Sequence, residues 1–142
     1  MTDAGLKELA ALKSLSHLDL IDAQVTEKGL KDLAALKHLT FLNLGNTNVS
    51  DKDLKELAPH TKLTALSLGG TKVTDEGLKV LAVFKDLTRL YLANTAVTDK
   101  GLKELAALKK LEVLFLSEGT VTRAGADGLR KQLPNCRIEG FK

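Results

Sequence analysis

The sequence contains no tryptophan, one cysteine, two prolines and few aromatic side chains of any kind, with four phenylalanines and one tyrosine. The single cysteine, Cys136, excludes an internal disulfide framework and a metal site built from cysteines. The shortage of aromatic rings leaves little material for a ligand or nucleic-acid site that depends on stacking. No apolar run approaches the roughly 18 residues of a membrane span, and no segment resembles a signal peptide.

What the sequence has instead is leucine. Thirty of the 142 residues are leucine, close to half of the 44% that are hydrophobic. This bias indicates one apolar motif repeated many times rather than a varied core. The length fits one domain with a sizeable core, and the net charge of +3 is small.

The leucines recur with a period of 24 residues. One column consists of Leu15, Leu39, Leu63, Leu87 and Leu111, a second of Leu18, Leu42, Leu66, Leu90 and Leu114, and a third of Leu20, Leu44, Leu68, Leu92 and Leu116. Three further columns are Val25, Val49, Val73, Val97 and Val121; Leu6, Leu30, Leu54, Leu78 and Leu102; and Leu9, Leu33, Leu57, Leu81, Leu105 and Leu129. Six columns in one register identify a tandem array of 24-residue units.

Each unit predicts a short strand followed by a helix. Around Leu90 and Leu92 apolar and polar residues alternate, which is typical of a strand. Leu78, Leu81 and Ala82 then follow the helical spacing. A hydroxyl residue precedes each helix where it can cap the first N–H groups, at Thr26, Ser50, Thr74, Thr98 and Thr122. Such a unit cannot bury its own apolar face, so stacked copies form a parallel sheet on one side and helices on the other.

The unit resembles the leucine-rich repeat family, through near-complete motifs such as Leu39-Thr-Phe-Leu42-Asn-Leu44-Gly-Asn-Thr47 that cover nearly the whole chain. The helical half, V-T-D-x-G-L-x-x-L-A, resembles the cysteine-containing repeats of F-box-type proteins and related bacterial proteins. Thr47, Thr71 and Thr95 fill the position that those repeats give to Cys or Asn, and the unit is shorter than their roughly 26 residues. No F-box precedes the array, so a ubiquitin-ligase role is not implied. The resemblance implies an α/β solenoid, right-handed and curved, that binds proteins on a concave parallel β-sheet and carries convex α-helices.

We expect one domain over 1–142. Its predicted parts are an N-terminal half repeat (1–14), four repeats (15–38, 39–62, 63–86 and 87–110), and a last repeat with a C-terminal cap (111–142). In the cap, Arg137 and Glu139 flank a last strand with charge, which protects a sheet edge. The sequence enters directly at the helical half of a repeat, so we expect a fragment of a longer protein, with a cytoplasmic location only if Met1 is the true start. Leu6, Leu9 and Leu12 would then have one unprotected flank.

The outward positions of the predicted strands are the candidate binding surface. Alternation along a strand points these side chains out of the concave sheet, and exposed aromatic residues beside an arginine are typical of binding hot spots. The candidate partner-binding residues are Phe41, Asn43, Ser67, Arg89, Tyr91, Val113 and Phe115. The third unit offers only Ala65, Ser67 and Gly69, which predicts a shallow notch between larger neighbours.

Other residues favour framework or solvent roles. Two lysine columns, assigned to helical positions, are Lys7, Lys31, Lys55, Lys79 and Lys103, and Lys13, Lys37, Lys85 and Lys109. Acidic columns beside them favour a solubilising pattern over nucleic-acid binding. His17 and Asp19 could form a dyad or, with Asp22, hold a metal, but Ser16 is expected on a different side of the strand from His17. His60 is expected to pack at a helix end.

The sequence therefore predicts a non-catalytic protein–protein interaction module without cofactor, metal, nucleic-acid or membrane partner. The alternatives are a structural or self-assembling segment of a longer array, joined through the N-terminal flank, and an accessory domain of a larger enzyme.

The threonine column at Thr47, Thr71 and Thr95 generates a ranking of stabilities. Replacing Thr71 with Ala should cost about one hydrogen bond, ~1 kcal/mol. Truncating the core residue Leu66 to Ala should cost ~2–5 kcal/mol. Denaturant unfolding of both variants tests the ranking, and equal losses would contradict it.

Overall fold

The chain builds a parallel sheet with one helix after nearly every strand. The structure, a computed structural model, describes residues 1–117 and 119–141; positions 118 and 142 of the predicted last repeat and cap lie outside them. Within the described residues one sheet contains six strands in sequence order. They are β1 (His17–Asp19), β2 (Phe41–Asn43), β3 (Ala65–Ser67), β4 (Arg89–Tyr91), β5 (Val113–Phe115) and β6 (Arg137–Glu139).

The sheet keeps the 24-residue register from end to end. Leu18 faces Leu42 across the first strand pair, and Leu114 faces Ile138 across the last. All pairs are parallel. The expected α/β solenoid is therefore confirmed, and Ile138 takes the predicted place in a final strand.

The helices lie between the strands and are short. They are α1 (Asp3–Leu9), α2 (Glu27–Leu33), α3 (Asp51–Leu54), α4 (Asp75–Leu81), α5 (Asp99–Leu102) and α6 (Arg123–Gln132). Two of them continue as 3₁₀ segments, α3 through Lys55–Leu57 and α5 through Lys103–Ala107. None of the helices in the described part of the chain is long and apolar enough to cross a bilayer.

Leucine fills the space between sheet and helices. The middle residue of every strand is buried, and Leu42, Leu66 and Leu90 have no exposed area. At the N-terminal flank the structure corrects one expectation. Leu6 is fully buried because α1 packs against α2, while Leu9 is half-buried and only Leu12, at 52% exposed, stands open.

A carboxylate at the start of one helix caps the next helix along the chain. Asp75, the first residue of α4, accepts hydrogen bonds from the backbone N–H of Thr98 at 2.7 Å and from its hydroxyl at 2.6 Å. The Thr98 hydroxyl in turn accepts from the N–H of Lys100 in α5, as a helix cap should. The same pair of bonds joins Asp3 to Thr26, Asp51 to Thr74 and Asp99 to Thr122. We call these four contacts the aspartate–threonine ladder.

The ladder explains a column of glycines. A Cβ atom added at Gly29, Gly77, Gly101 or Gly125 would lie 2.0–2.4 Å from the capping carboxylate of the preceding repeat. Glycine is therefore required by the close approach of the aspartate. The hydrogen bond from the Thr26 hydroxyl also lowers the pKa of Asp3 below its ordinary value.

One repeat interface lacks the ladder, and three positions change together there. Glu27 stands where α1, α3, α4 and α5 begin with Asp, and its carboxylate pairs with Lys31 at 2.8 Å instead. The next cap, Ser50, is bonded by Asp53 of its own helix, which accepts from the serine N–H and hydroxyl at 2.8 and 2.7 Å. Asp53 occupies the glycine position of the other repeats. The side chain fits because no aspartate reaches in from the preceding helix.

The threonine column forms bonds within its own loops. The hydroxyls of Thr47, Thr71 and Thr95 donate to the carbonyl oxygens of Leu44, Leu68 and Leu92 at 2.6–2.7 Å, and all three threonines are buried. Each bond closes a loop after a strand.

His60 is fully buried in a position that leucine or phenylalanine fills in neighbouring repeats. Its Nδ1 lies 3.2 Å from the carbonyl oxygen of Leu36, which assigns the ring proton to Nδ1. Its Nε2 has no partner among the described residues. Burial lowers the pKa of His60 below its ordinary value, and the charge of Lys37 acts in the same direction.

We expect the glycine column to depend on the aspartates. The three atoms nearest to a Cβ at Gly125 all belong to the Asp99 side chain, the closest at 2.0 Å. Gly125→Ala should therefore destabilise the protein by ~2 kcal/mol. In an Asp99→Ala background the same change should stabilise by ~0.5–1 kcal/mol, since alanine favours helix over glycine.

Gly128→Ala in the same helix is the matched control, because nothing lies within 4 Å of the added Cβ. It should stabilise both backgrounds equally in urea unfolding. Equal effects of Gly125→Ala with and without Asp99 would contradict the ladder as the cause.

We expect His60 to make the free energy of unfolding depend on pH. His60 takes up a proton below about pH 6.5 in the unfolded chain, but only at a lower pH in the folded chain, where its pKa is lowered. The contribution of His60 to the free energy of unfolding is therefore fully present above that pH. Below it, the free energy of unfolding falls by up to ~1.4 kcal/mol per pH unit. His60→Leu should remove this slope in unfolding titrations between neutral and mildly acidic pH, while a His38→Gln control, at an exposed position, should keep it.

Candidate functional site

The first and third residues of each strand form the concave surface of the sheet. The first positions are His17, Phe41, Ala65, Arg89, Val113 and Arg137, and the third are Asp19, Asn43, Ser67, Tyr91, Phe115 and Glu139. All of them except Ala65 are exposed or half-buried, while the residue between them is buried. The structure thus places every predicted partner-binding residue on one face.

Four of the rings on this face form two pairs between neighbouring strands. His17 stacks on Phe41 with centroids 5.9 Å apart and an angle of 18° between planes. Tyr91 and Phe115 lie 6.4 Å apart at 31°. Because strand neighbours are 24 residues apart, this pairing was available from the register alone. The partner-binding residues predicted from the sequence do not include His17. Its contact with Phe41 adds His17 to the candidate site.

Strand β3 separates the two ring pairs with small side chains. Ala65 pairs with Phe41 on one side and with Arg89 on the other. Ala65 is 7% exposed and Ser67 is half-buried. Ala65 and Ser67 are smaller than their neighbours in β2 and β4, and the shallow notch stays a prediction.

Part of the polar surface is used within the fold. The side chain of Asn43 accepts from the N–H of Gly45 at 2.9 Å, and that of Asp19 accepts from the N–H of Ile21 at 3.0 Å. Both bonds end a strand. Asn43 therefore serves a turn, although it lies on the predicted binding face.

The structure corrects the expected position of Ser16. Its hydroxyl oxygen lies 2.9 Å from Nδ1 of His17, although the strand pattern placed the two side chains apart. Ser16 precedes β1, so its side chain is not held to the alternation of the strand. Among the described residues the Asp19 carboxylate bonds to the backbone N–H of Ile21 rather than to the His17 ring.

The second lysine column is also corrected. Lys13, Lys37, Lys85 and Lys109 lie in the turns that lead from helix to strand, not on the helices. On the helices, lysines pair with acids, as Lys79 does with Glu76 at 2.7 Å. The turns, by contrast, contain more lysines than acidic residues.

Potential metal ligands do not cluster in the part of the chain that the structure describes. Among residues 1–117 and 119–141 no group of three or more His, Cys, Asp or Glu side chains could hold a metal ion. Cys136 is buried, and burial raises the pKa of its thiol, which favours the protonated form.

The stacked strand–helix units define the protein as an α/β solenoid. A family profile described as "Leucine Rich repeat" matches residues 35–58, 60–82 and 85–106. The chain is a leucine-rich repeat protein, and domains of this family are in general non-catalytic modules for protein–protein interaction. The finer resemblance to F-box-type repeats stays a prediction. No curated protein matches the chain significantly.

Similar solved structures support the fold. An internalin, InlF, from Listeria monocytogenes is 22% identical with a TM-score of 0.68, over 93% of this chain and 43% of that one. Internalin C2 from the same organism is 23% identical with a TM-score of 0.67, over 97% and 65%. The tropomodulin C-terminal domain of Caenorhabditis elegans is 17% identical with a TM-score of 0.71, over 94% and 92%. The chain therefore spans less than two thirds of either internalin.

Proposed function

We propose that the protein is a non-catalytic recognition module that binds a protein or peptide on its concave face. The observation that carries this proposal is the Tyr91–Phe115 pair with Arg89 beside it on the sheet surface. The core lies on the opposite side of the strands, so packing does not require aromatic residues there. Half-buried rings next to an arginine supply apolar area and directed hydrogen bonds, which are the main contributors at protein interfaces.

The notch over β3 favours an extended segment or a protruding side chain as the bound element. Strands lie ~4.8 Å apart, so the Phe41 and Tyr91 strands are ~10 Å apart with small side chains between them. A partner side chain that enters there contacts rings on both sides.

A second candidate function is self-association through the N-terminal flank. Met1 and Leu12 are 59% and 52% exposed, and β1 is an edge strand of the sheet. Exposed apolar side chains beside an open strand edge favour association with another chain.

We expect the two candidates to separate in one affinity experiment with extract of the source cells. A variant with Phe41, Tyr91 and Phe115 all changed to Ala should lose a protein that the wild type retains, because its apolar anchors are gone. A control with Lys79, Val83 and Lys103 changed to Ala alters exposed residues in or just after the helices and should retain it. Both variants must keep the wild-type melting temperature.

Retention of every partner by the triple ring variant would refute the concave site. Self-association predicts instead that molar mass rises with concentration in sedimentation equilibrium. In that case Leu12→Glu would reduce the mass to that of the monomer, and the ring variant would not.

A further inference from the structure

The turns that lead into the strands carry a net positive charge larger than that of the whole protein. Before β1 to β5 these turns contain Lys13, Lys37, Lys62, Lys85, Lys109 and Lys110, against the two acids Asp86 and Glu112. Their net charge of about +4 exceeds that of the whole chain, which is +3. The rest of the molecule is therefore close to neutral, and the net positive charge is concentrated in the turns that precede the strands.

The parallel register brings these turns together along one edge of the concave face. The hydroxyl of Thr64 donates to the carbonyl of Thr40, and that of Thr88 to the carbonyl of Thr64, so successive turns touch. We call the six lysines of these turns the basic rim. Over five strands ~4.8 Å apart, the rim extends for ~20 Å beside the aromatic face.

The rim is not neutralised within the fold. All six lysines are exposed. Of these six, only Lys110 forms an ion pair with another described residue, Asp86, at 2.6 Å. Lys13 donates to the carbonyl of Ala10. Glu27, Glu56 and Glu76, by contrast, pair with lysines of the helices.

Charge also changes sign along the strands. Arg89 and Arg137 hold first positions, on the side of the rim, and Asp19 and Glu139 hold third positions, farther from it. The four loops after β1 to β4 contain one acid and one lysine, Asp22 and Lys72. The positive potential is thus strongest at the rim and fades across the face.

This arrangement suits an acidic polypeptide better than a nucleic acid or a membrane. A phosphate backbone on the same face would meet the carboxylates of Asp19 and Glu139. A bilayer surface is flat, while the aromatic residues lie on the concave side of the sheet. A polypeptide can present carboxylates on one side and apolar side chains on the other, with alternate residues ~6.6 Å apart when extended.

We infer that the concave face binds an extended acidic polypeptide segment, whose carboxylates lie over the basic rim and whose apolar side chains contact Tyr91 and Phe115. The inference rests on the proposed recognition function and names the chemistry of its partner. Complementary charge of this kind directs encounter and selects among partners.

The test is a selection of binders from a phage-displayed library of random peptides of about twelve residues. Peptides that bind the wild type should be enriched in Asp and Glu and contain apolar residues. Synthetic copies of them should bind at least about tenfold more weakly to Lys37→Glu/Lys62→Glu/Lys85→Glu, because like charges repel across the interface. Their affinity should also fall as salt rises.

The matched control is Lys7→Glu/Lys52→Glu/Lys103→Glu, which changes net charge equally but on the helices. It should keep the affinity, and both variants must unfold at the wild-type temperature. Equal losses in the two variants would show that net charge alone acts and would overturn the inference. So would tighter, rim-dependent binding of a single-stranded oligonucleotide or of anionic lipid vesicles.

Two further outcomes separate this inference from the proposed function. Selected peptides without acidic bias that lose binding to Tyr91→Ala/Phe115→Ala would overturn the acidic partner but support the concave site. If no selected peptide depended on either the rim or the rings, both proposals would fail.

Discussion

The structure depends on a carboxylate that joins one helix to the next at four of the five helix interfaces among the described residues. The strands and the loops after them are joined by backbone bonds between repeats, such as those from the N–H groups of Leu44 and Asn46 to the carbonyls of Ser67 and Gly69. The helices are joined by side chains. An aspartate such as Asp75 receives two hydrogen bonds from the cap of the following helix, Thr98. The threonine oxygen then remains able to accept an N–H of its own helix. One side chain therefore caps a helix and sets its position relative to its neighbour.

This constraint accounts for features that otherwise look unrelated. Glycine at Gly101 and Gly125 is required because the aspartate approaches too closely for a Cβ atom. At the interface between α2 and α3, both the aspartate and the glycine are replaced. There Glu27 replaces the aspartate, and Asp53, in the glycine position, caps Ser50 from within its own helix. The change at one position is possible because the others change with it.

Because the core lies behind the sheet, packing does not determine most side chains of the concave face. Its ring pairs, His17–Phe41 and Tyr91–Phe115, contact each other but do not fill the core. The turns beside it hold exposed lysines that form few internal bonds. Rings and charge on one side of a rigid sheet provide separate contributions to binding, the first to affinity and the second to selection.

The sequence by itself determined the repeat, the strand and helix order, the buried columns and the face on which Tyr91 lies, since 24-residue spacing and strand alternation are periodic properties of the chain. Only the tertiary structure decided which side chains meet outside the strands. It brought Asp99 to Thr122, placed Lys37 in a turn, moved Ser16 against His17 and buried Leu6 under α2. These contacts depend on side-chain reach across neighbouring repeats and on where each helix ends, and periodicity specifies neither.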